Sequence, residues 1–368
     1  MGSPVLGRVV QGTPAGDDLI RLAWPDVGLE EAAAVAEVLE SGRLTMGPKV
    51  AEFERLLAEA CGVEHAVTVS SGTAALHLAV LALDLAPGDE VIVPAFTFPA
   101  TANVVTLAGL KPVLVDVDPV TMNIDPVGIE PVRRTKAVIA VHLFGRPARV
   151  EELPSVTLIE DAAGALGARR QGRPCGGIGL MGCLSFHPRK IVTTGEGGAV
   201  TTNDSSFAQR IAQLRHHGWK PPELADLPAP GLNYRLSDIL CAVGIPQVRR
   251  LQELLAARER IAGGYAERLA RLPVVLPGAD GGDRHGWQAY VIQVERRDEV
   301  LAALRAQGIE AQIGTYALHR LSAYRDQGPF PGADHVYERA LALPLHSRLS
   351  DSDLDRIAEA LTQVVSEC

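Results

Sequence analysis

The stretch "HAVTVSSGTAALHLAVLALDLAPGDEVIVPAFTFPATANVVTLAGLKPVLVDV", His65 to Val117, switches repeatedly between two periodicities. Its pieces "HAVTVS", "DEVIVPA" and "KPVLVDV" are short, apolar and rich in valine, as strands buried on both faces are. Between them, "AALHLAVLAL" and "ATANVVTLAG" have the spacing of helices. Apolar strands separated by helices predict a mainly parallel sheet covered on both sides, an α/β fold.

Working outward, "KAVIAVHL" and "VTLIED" add two further apolar strands, while "LEEAAAVAEVLESG" and "VAEFERLLAEACG" predict two helices ahead of the sheet, closed by Gly42 and Gly62. Beyond "GGAVTTND" the pattern gives a helix from Ser205 to His216, a Pro-rich loop "WKPPELADLPAPGLNYR", and long helices from Ser237 to about Leu272. The remaining "QAYVIQV", "VLAALRAQGI", "LALPLH" and "DLDRIAEALTQVV" predict a small α+β domain. The expected division is a large α/β domain over 1–254 and a smaller C-terminal α+β domain over 255–368.

With 368 residues, 47% hydrophobic and 21% charged, the chain is long enough to bury a large core. A net charge of -9 without a dense Lys/Arg run argues against nucleic acid as a partner. No apolar run approaches the roughly 18 residues of a membrane span. Cys61, Cys175, Cys183, Cys241 and Cys368 are odd in number and lack CxxC spacing, so neither a disulfide framework nor a metal site is expected. Together with an opening "MGSPVLGRVV" that has no secretory pattern, this makes a reducing cytoplasm the expected compartment.

In α/β sheets ligands sit outside the carboxyl ends of the strands, so the residues following each strand are the first candidates. "SSGTAALHL" places Ser70 to Thr73 at a helix N-terminus, which serves either as ordinary helix initiation or as an anion cradle. "VPAFTFPAT" offers Phe96 and Phe98, each suited to the core or to the face of a planar ring. In "LIEDAAGALGA" the carboxylates Glu160 and Asp161 follow a strand directly, as helix caps or as partners of a ring nitrogen. In "SFHPRKIVTTGEGG", Lys190 stands between a strand and a glycine cluster, a solvated charge or a nucleophile.

Taken in order, these groups match the four parts of pyridoxal phosphate: phosphate at Gly72 and Thr73, ring face at Phe98, ring nitrogen at Asp161, aldehyde at Lys190. "SSGTAALHL", "VPAFTFPATANVV", "VHLFGRP", "IEDAAGALGA", "SFHPRKIVTTGEGGAVTTND", "LRHHG" and "GLNYRLSDI" resemble, in sequence order, the DegT/StrS family of fold-type-I aminotransferases, from about residue 41 to 346. The resemblance implies that Lys190 carries the coenzyme covalently, that Asp161 partners its ring nitrogen, and that Ser185 joins Gly72 and Thr73 at its phosphate. It further implies that Asn233 of "GLNYR" reaches the phosphate in a partner subunit, so that the enzyme is a homodimer. Tyr316 and His319 of "TYALH" fall where such enzymes meet substrate, or else pack within the small domain.

Two positions depart from the family's pattern: Gly164 stands where a glutamine often contacts the ring's phenolic oxygen, and Leu166 where histidine is frequent. The function implied is transfer of an amino group from an amino acid, glutamate or glutamine, to a keto sugar, most often nucleotide-linked. The alternatives are a sugar 3-dehydratase, which carries histidine at the position of Lys190, and a catalytically idle binding member of the family.

Overall fold

The computed structural model describes residues 19–219 and 226–367. The opening segment, Cys368 and the first part of the Pro-rich loop lie outside the described residues. Two helices come first, α1 (Leu29–Ser41) and α2 (Pro48–Cys61), each ended by a glycine in the left-handed region, Gly42 at φ 69° and Gly62 at φ 65°.

The long stretch that begins at His65 forms β1 (His65–Val69), α3 (Gly72–Ala82), β2 (Glu90–Pro94), the short β3 (Phe96–Thr97), α4 (Ala100–Leu107) and β4 (Lys111–Val115). It continues through β5 (Thr135–Val141), β6 (Thr157–Asp161), a small ribbon of β7 (Arg169–Arg170) and β8 (Arg173–Pro174), then β9 (Met181–Ser185), β10 (Gly198–Thr202) and α5 (Ser205–Leu214).

Seven strands make one sheet in the order β1-β10-β9-β6-β5-β2-β4. All run parallel except β10, which is antiparallel to both neighbours. The strands read as continuous apolar runs because both faces are covered. Along β5, Ala137, Ile139 and Val141 enter the cluster beneath α3 and α4, while Val138 and Ala140 pack on the opposite side. Phe53 and Leu57 of α2 cover that other face near β1 and β10, together with Leu184 and Ala199.

Two helices, α6 (Asp238–Arg249) and α7 (Leu251–Leu269), lead to β11 (Tyr290–Gln293), α8 (Arg297–Ala306), β12 (Gln312–Ile313), β13 (Tyr316–Ala317), α9 (Pro331–Arg339), β14 (Ala340–Leu343) and α10 (Asp351–Glu367). A second sheet, β11-β14-β12, has its own core from Ile261 to Val364. The expected boundary at 254/255 falls inside α7. Leu251, Leu254 and Leu255 pack with the first core and Ile261, Tyr265 and Leu269 with the second. Ile20 also packs in the second core, pairing with Ile309, so the start of the described chain sits with the C-terminal elements. The two parts are stitched where β13 pairs with β3, Tyr316 opposite Thr97.

Candidate active site

The exits of β1, β2, β5, β6 and β9 open on one cavity of about 420 Å³, and Gly72, Thr73, Phe98, Asp161, Ser185 and Lys190 line it. Ser71 caps α3 by accepting a hydrogen bond from Ala74 N at 3.0 Å. That leaves Gly72 and Thr73 in the first turn, where N–H groups have no acceptor within the helix. A Cβ on Gly72 would lie 2.7 Å from Ser185 Cβ and 3.1 Å from its Oγ. Glycine is what lets the helix N-terminus close on the serine at the end of β9.

The two consecutive carboxylates of β6 point to opposite sides of the strand, as neighbours in a strand must. Glu160 faces away from the cavity and accepts from the N–H groups of Gly176, Ile178 and Gly179 at 2.8, 2.7 and 2.7 Å. His142 Nδ1 accepts from Ala148 N, so its Nε2 carries the hydrogen it gives to Glu160 at 2.8 Å. Burial alone would raise the Glu160 carboxyl, but His142 and the backbone donors hold it below its usual range. Glu160 is a structural anion.

Asp161 faces inward, 6% exposed, with Thr101 Oγ1 donating to its Oδ2 at 2.8 Å and Ala163 N to its Oδ1 at 3.2 Å. Burial pushes its pKa up despite these donors and the nearby charge of Lys190. The carboxylate is therefore incompletely compensated, a good site for a cationic ring nitrogen.

Lys190 sits on the hairpin between β9 and β10. That hairpin is held by Phe186, whose N–H donates to Gly197 O and whose carbonyl accepts from Thr194 N and Thr193 Oγ1. The buried Gln247 of α6 clasps it further, accepting from Thr193 N at 2.9 Å and donating to Thr193 O at 2.7 Å. Burial lowers the Lys190 pKa to about 8; Asp161 opposes this, while Arg189 and Arg258 reinforce it. An amine so shifted is partly neutral near pH 7 and can act as a nucleophile or proton carrier.

Phe96 is fully buried in the core, whereas Phe98 is 61% exposed at the cavity. The Tyr316 ring stands edge-on to it at 6.3 Å, beside the rim. His319 does not line the cavity: it contacts Asp334 at 3.0 Å and packs against Phe330. Asn233 is exposed, accepts from Arg235 Nε at 3.0 Å, and lies outside the lining of its own chain's cavity. Gly164 lines the cavity, but Leu166 is turned into the core beneath α2 and α6, so it takes no room from a ligand.

Sequence reasoning did not find Thr101, Gln247, Gln288 or Arg258. Each reaches the site from an element distant in sequence. Arg258, buried on α7, donates to the carbonyls of Lys190, Trp287 and Gln288 at 3.2, 2.9 and 3.1 Å, fastening the lysine loop to the approach to β11.

An anion cradle, an exposed aromatic plate, an undercompensated acid and a shifted lysine in one cavity fit pyridoxal phosphate part by part. The fold and this cavity define a pyridoxal-phosphate-dependent aminotransferase of fold type I. More narrowly, the chain belongs to the DegT/DnrJ/EryC1/StrS aminotransferase family, whose sequence pattern matches residues 25–362. It is 38% identical over 364 residues to the GDP-perosamine synthase of Caulobacter vibrioides, covering 94% of this chain and 98% of that one. Its structure matches Helicobacter pylori PseC, an aminotransferase involved in the biosynthesis of pseudoaminic acid. There the TM-score is 0.90, the identity 28%, and the coverage 95% of this chain and 100% of that chain. It also matches DesI, solved in the presence of its TDP-sugar product, with TM-score 0.89 and 33% identity over 96% of this chain and 95% of that one. Among the described residues no helix is long and apolar enough to cross a membrane, and no cluster of side chains forms a metal site.

Proposed function

We propose that this enzyme transfers an amino group from glutamate or glutamine to the carbonyl of a nucleotide-linked keto sugar, in amino-sugar biosynthesis in the cytoplasm. The observation that carries the reading is the convergence of Lys190, Asp161 and the Gly72–Ser185 contact on one cavity. The similarity to a GDP-sugar enzyme and to one solved with a TDP-sugar supports the substrate class.

Pyridoxal phosphate, when bound, supplies a carbon to which amines attach and a ring that accepts electron density. The first turn of α3 and Ser185 would bind its phosphate, and Phe98 would cover one face of the ring. Asp161, held in one orientation by Thr101 and Ala163, would keep a proton on the ring nitrogen. Lys190 Nζ would anchor the coenzyme, and it would also hold and move the proton of the donor Cα. Its lowered pKa suits it to both taking and returning that proton near neutral pH.

The exposed position of Asn233, away from its own cavity, supports its placement at the phosphate of a partner subunit in a homodimer. Incubating the coenzyme-loaded protein with either donor and a panel of GDP- and TDP-linked keto sugars, with mass detection of the aminated product, tests the proposal. Donor-induced bleaching of the yellow protein without any aminated sugar nucleotide would leave an aminotransferase with another ketone as its acceptor.

A further inference from the structure

Gln288 stands just before β11, and its side chain lies on Gly164: a Cβ at residue 164 would be 3.3 Å from Gln288 Cγ and Oε1 and 3.4 Å from its Cβ. The backbone of Gly164 is not in the left-handed region, so what glycine provides there is space. That space is filled from far downstream by a carboxamide, which also lines the cavity.

The carboxamide is placed by its own backbone. Gln288 N donates to Phe144 O at 3.0 Å and its carbonyl accepts from Arg258 at 3.1 Å. Its Nε2 reaches Arg189 O only at 3.4 Å, a long bond that a better acceptor can displace. The amide thus spans from the exit of β6 to the loop that carries Lys190.

A pyridoxal ring bears its phenolic oxygen beside the aldehyde carbon and on the side away from the phosphate arm. With phosphate at α3 and the end of β9, nitrogen at Asp161 and aldehyde at Lys190, that oxygen faces the β5 side of β6. This is the wall made by His142, Phe144, Gly164 and Gln288. His142 has no hydrogen to offer, since Nδ1 accepts from Ala148 and Nε2 is given to Glu160. We propose that Gln288 Nε2 is the hydrogen-bond donor to the phenolic oxygen, delivered across the gap at Gly164. The inference rests on the coenzyme-binding reading of the cavity.

Four proteins test it: wild type, Gln288→Ala, Gln288→Glu and the double variant Gly164→Gln/Gln288→Ala, in which the vacated space receives an amide from the other side. Coenzyme affinity is read by equilibrium dialysis of the apoproteins. The pH at which the visible band of the bound coenzyme converts is read by absorbance. Wild type turning yellow with Lys190 intact establishes the coenzyme reading independently of Gln288. Losing a hydrogen bond to a charged oxygen predicts about tenfold weaker retention and a shift of about one pH unit in Gln288→Ala. A larger loss is expected in Gln288→Glu, and recovery of most of both readouts in the double variant. Unchanged retention and titration in Gln288→Ala would overturn the proposal. A loss that the relocated amide does not restore would also overturn it, by making Gln288 a packing residue.

Discussion

The proposed chemistry turns on two charges that burial has moved toward each other. Lys190 is lowered to about 8 and Asp161 is raised, so each is closer to neutral than in water. Below a pKa of 8 the neutral fraction of the amine climbs about tenfold per pH unit and then levels off. Attachment of pyridoxal phosphate to the apoprotein, followed by stopped-flow absorbance, should rise with that slope and reach its plateau just above pH 8. A rate still climbing past pH 10 would mean a lysine no different from one in solvent. Asp161→Asn should retain the coenzyme but slow turnover by about 10² to 10³, because a neutral amide cannot hold the ring nitrogen's charge in place. Near-normal turnover in that variant would reduce Asp161 to an acceptor that orders the turn after β6. From the sequence, Asp161 rather than Glu160 is placed at the ring nitrogen, but nothing local in the sequence gives the physical reason for that choice. Only the register of β6 sends one into the cavity and the other into a nest of backbone N–H groups.

At the scale of elements, the site depends on how closely α3 approaches the end of β9. Gly72→Ala would place a methyl 2.7 Å from Ser185 Cβ, and relieving that overlap costs about 1–3 kcal/mol. The expected result is a melting temperature lowered by a few degrees and coenzyme retention weakened by at least tenfold, measured by dialysis. An alanine variant with wild-type retention would show that the phosphate is held elsewhere. The helices and parallel strands were legible because their signals are local: glycine closes α1 and α2, and two-sided burial makes the strands uniformly apolar. The reversed β10, the β13–β3 stitch and the reach of Gln288 and Arg258 were not legible. Each is a contact between distant segments that no window of sequence contains. Phe96 and Phe98 looked equivalent in sequence; their even spacing points both to one face, and the break at the end of β3 before α4 sends Phe98 outward.

For the whole molecule, the proposal makes each active site a product of two chains, with Lys190 from one and Asn233 from the other. A Lys190→Ala protein mixed with an inactive Asn233→Asp protein, under conditions that exchange subunits, should form heterodimers in which one site has both defects and the other has neither. Equal mixing should restore about one quarter of wild-type activity, since half the dimers are mixed and each carries one sound site. No recovery in isolated heterodimers, given that Asn233→Asp alone is inactive, would place Asn233 in the service of its own chain. The acidic charge and the apolar strands pointed to the class of molecule, but nothing in the sequence shows which faces of two copies meet. All of these expectations depend on Lys190 being the residue that holds the coenzyme. Borohydride reduction of the yellow protein, digestion and mass mapping of the coenzyme-bearing peptide measures that directly. The expected result is a single stable label on Lys190, lost in Lys190→Ala; a label on any other lysine, Lys49 or Lys220 among them, with Lys190 unmodified would refute the assignment.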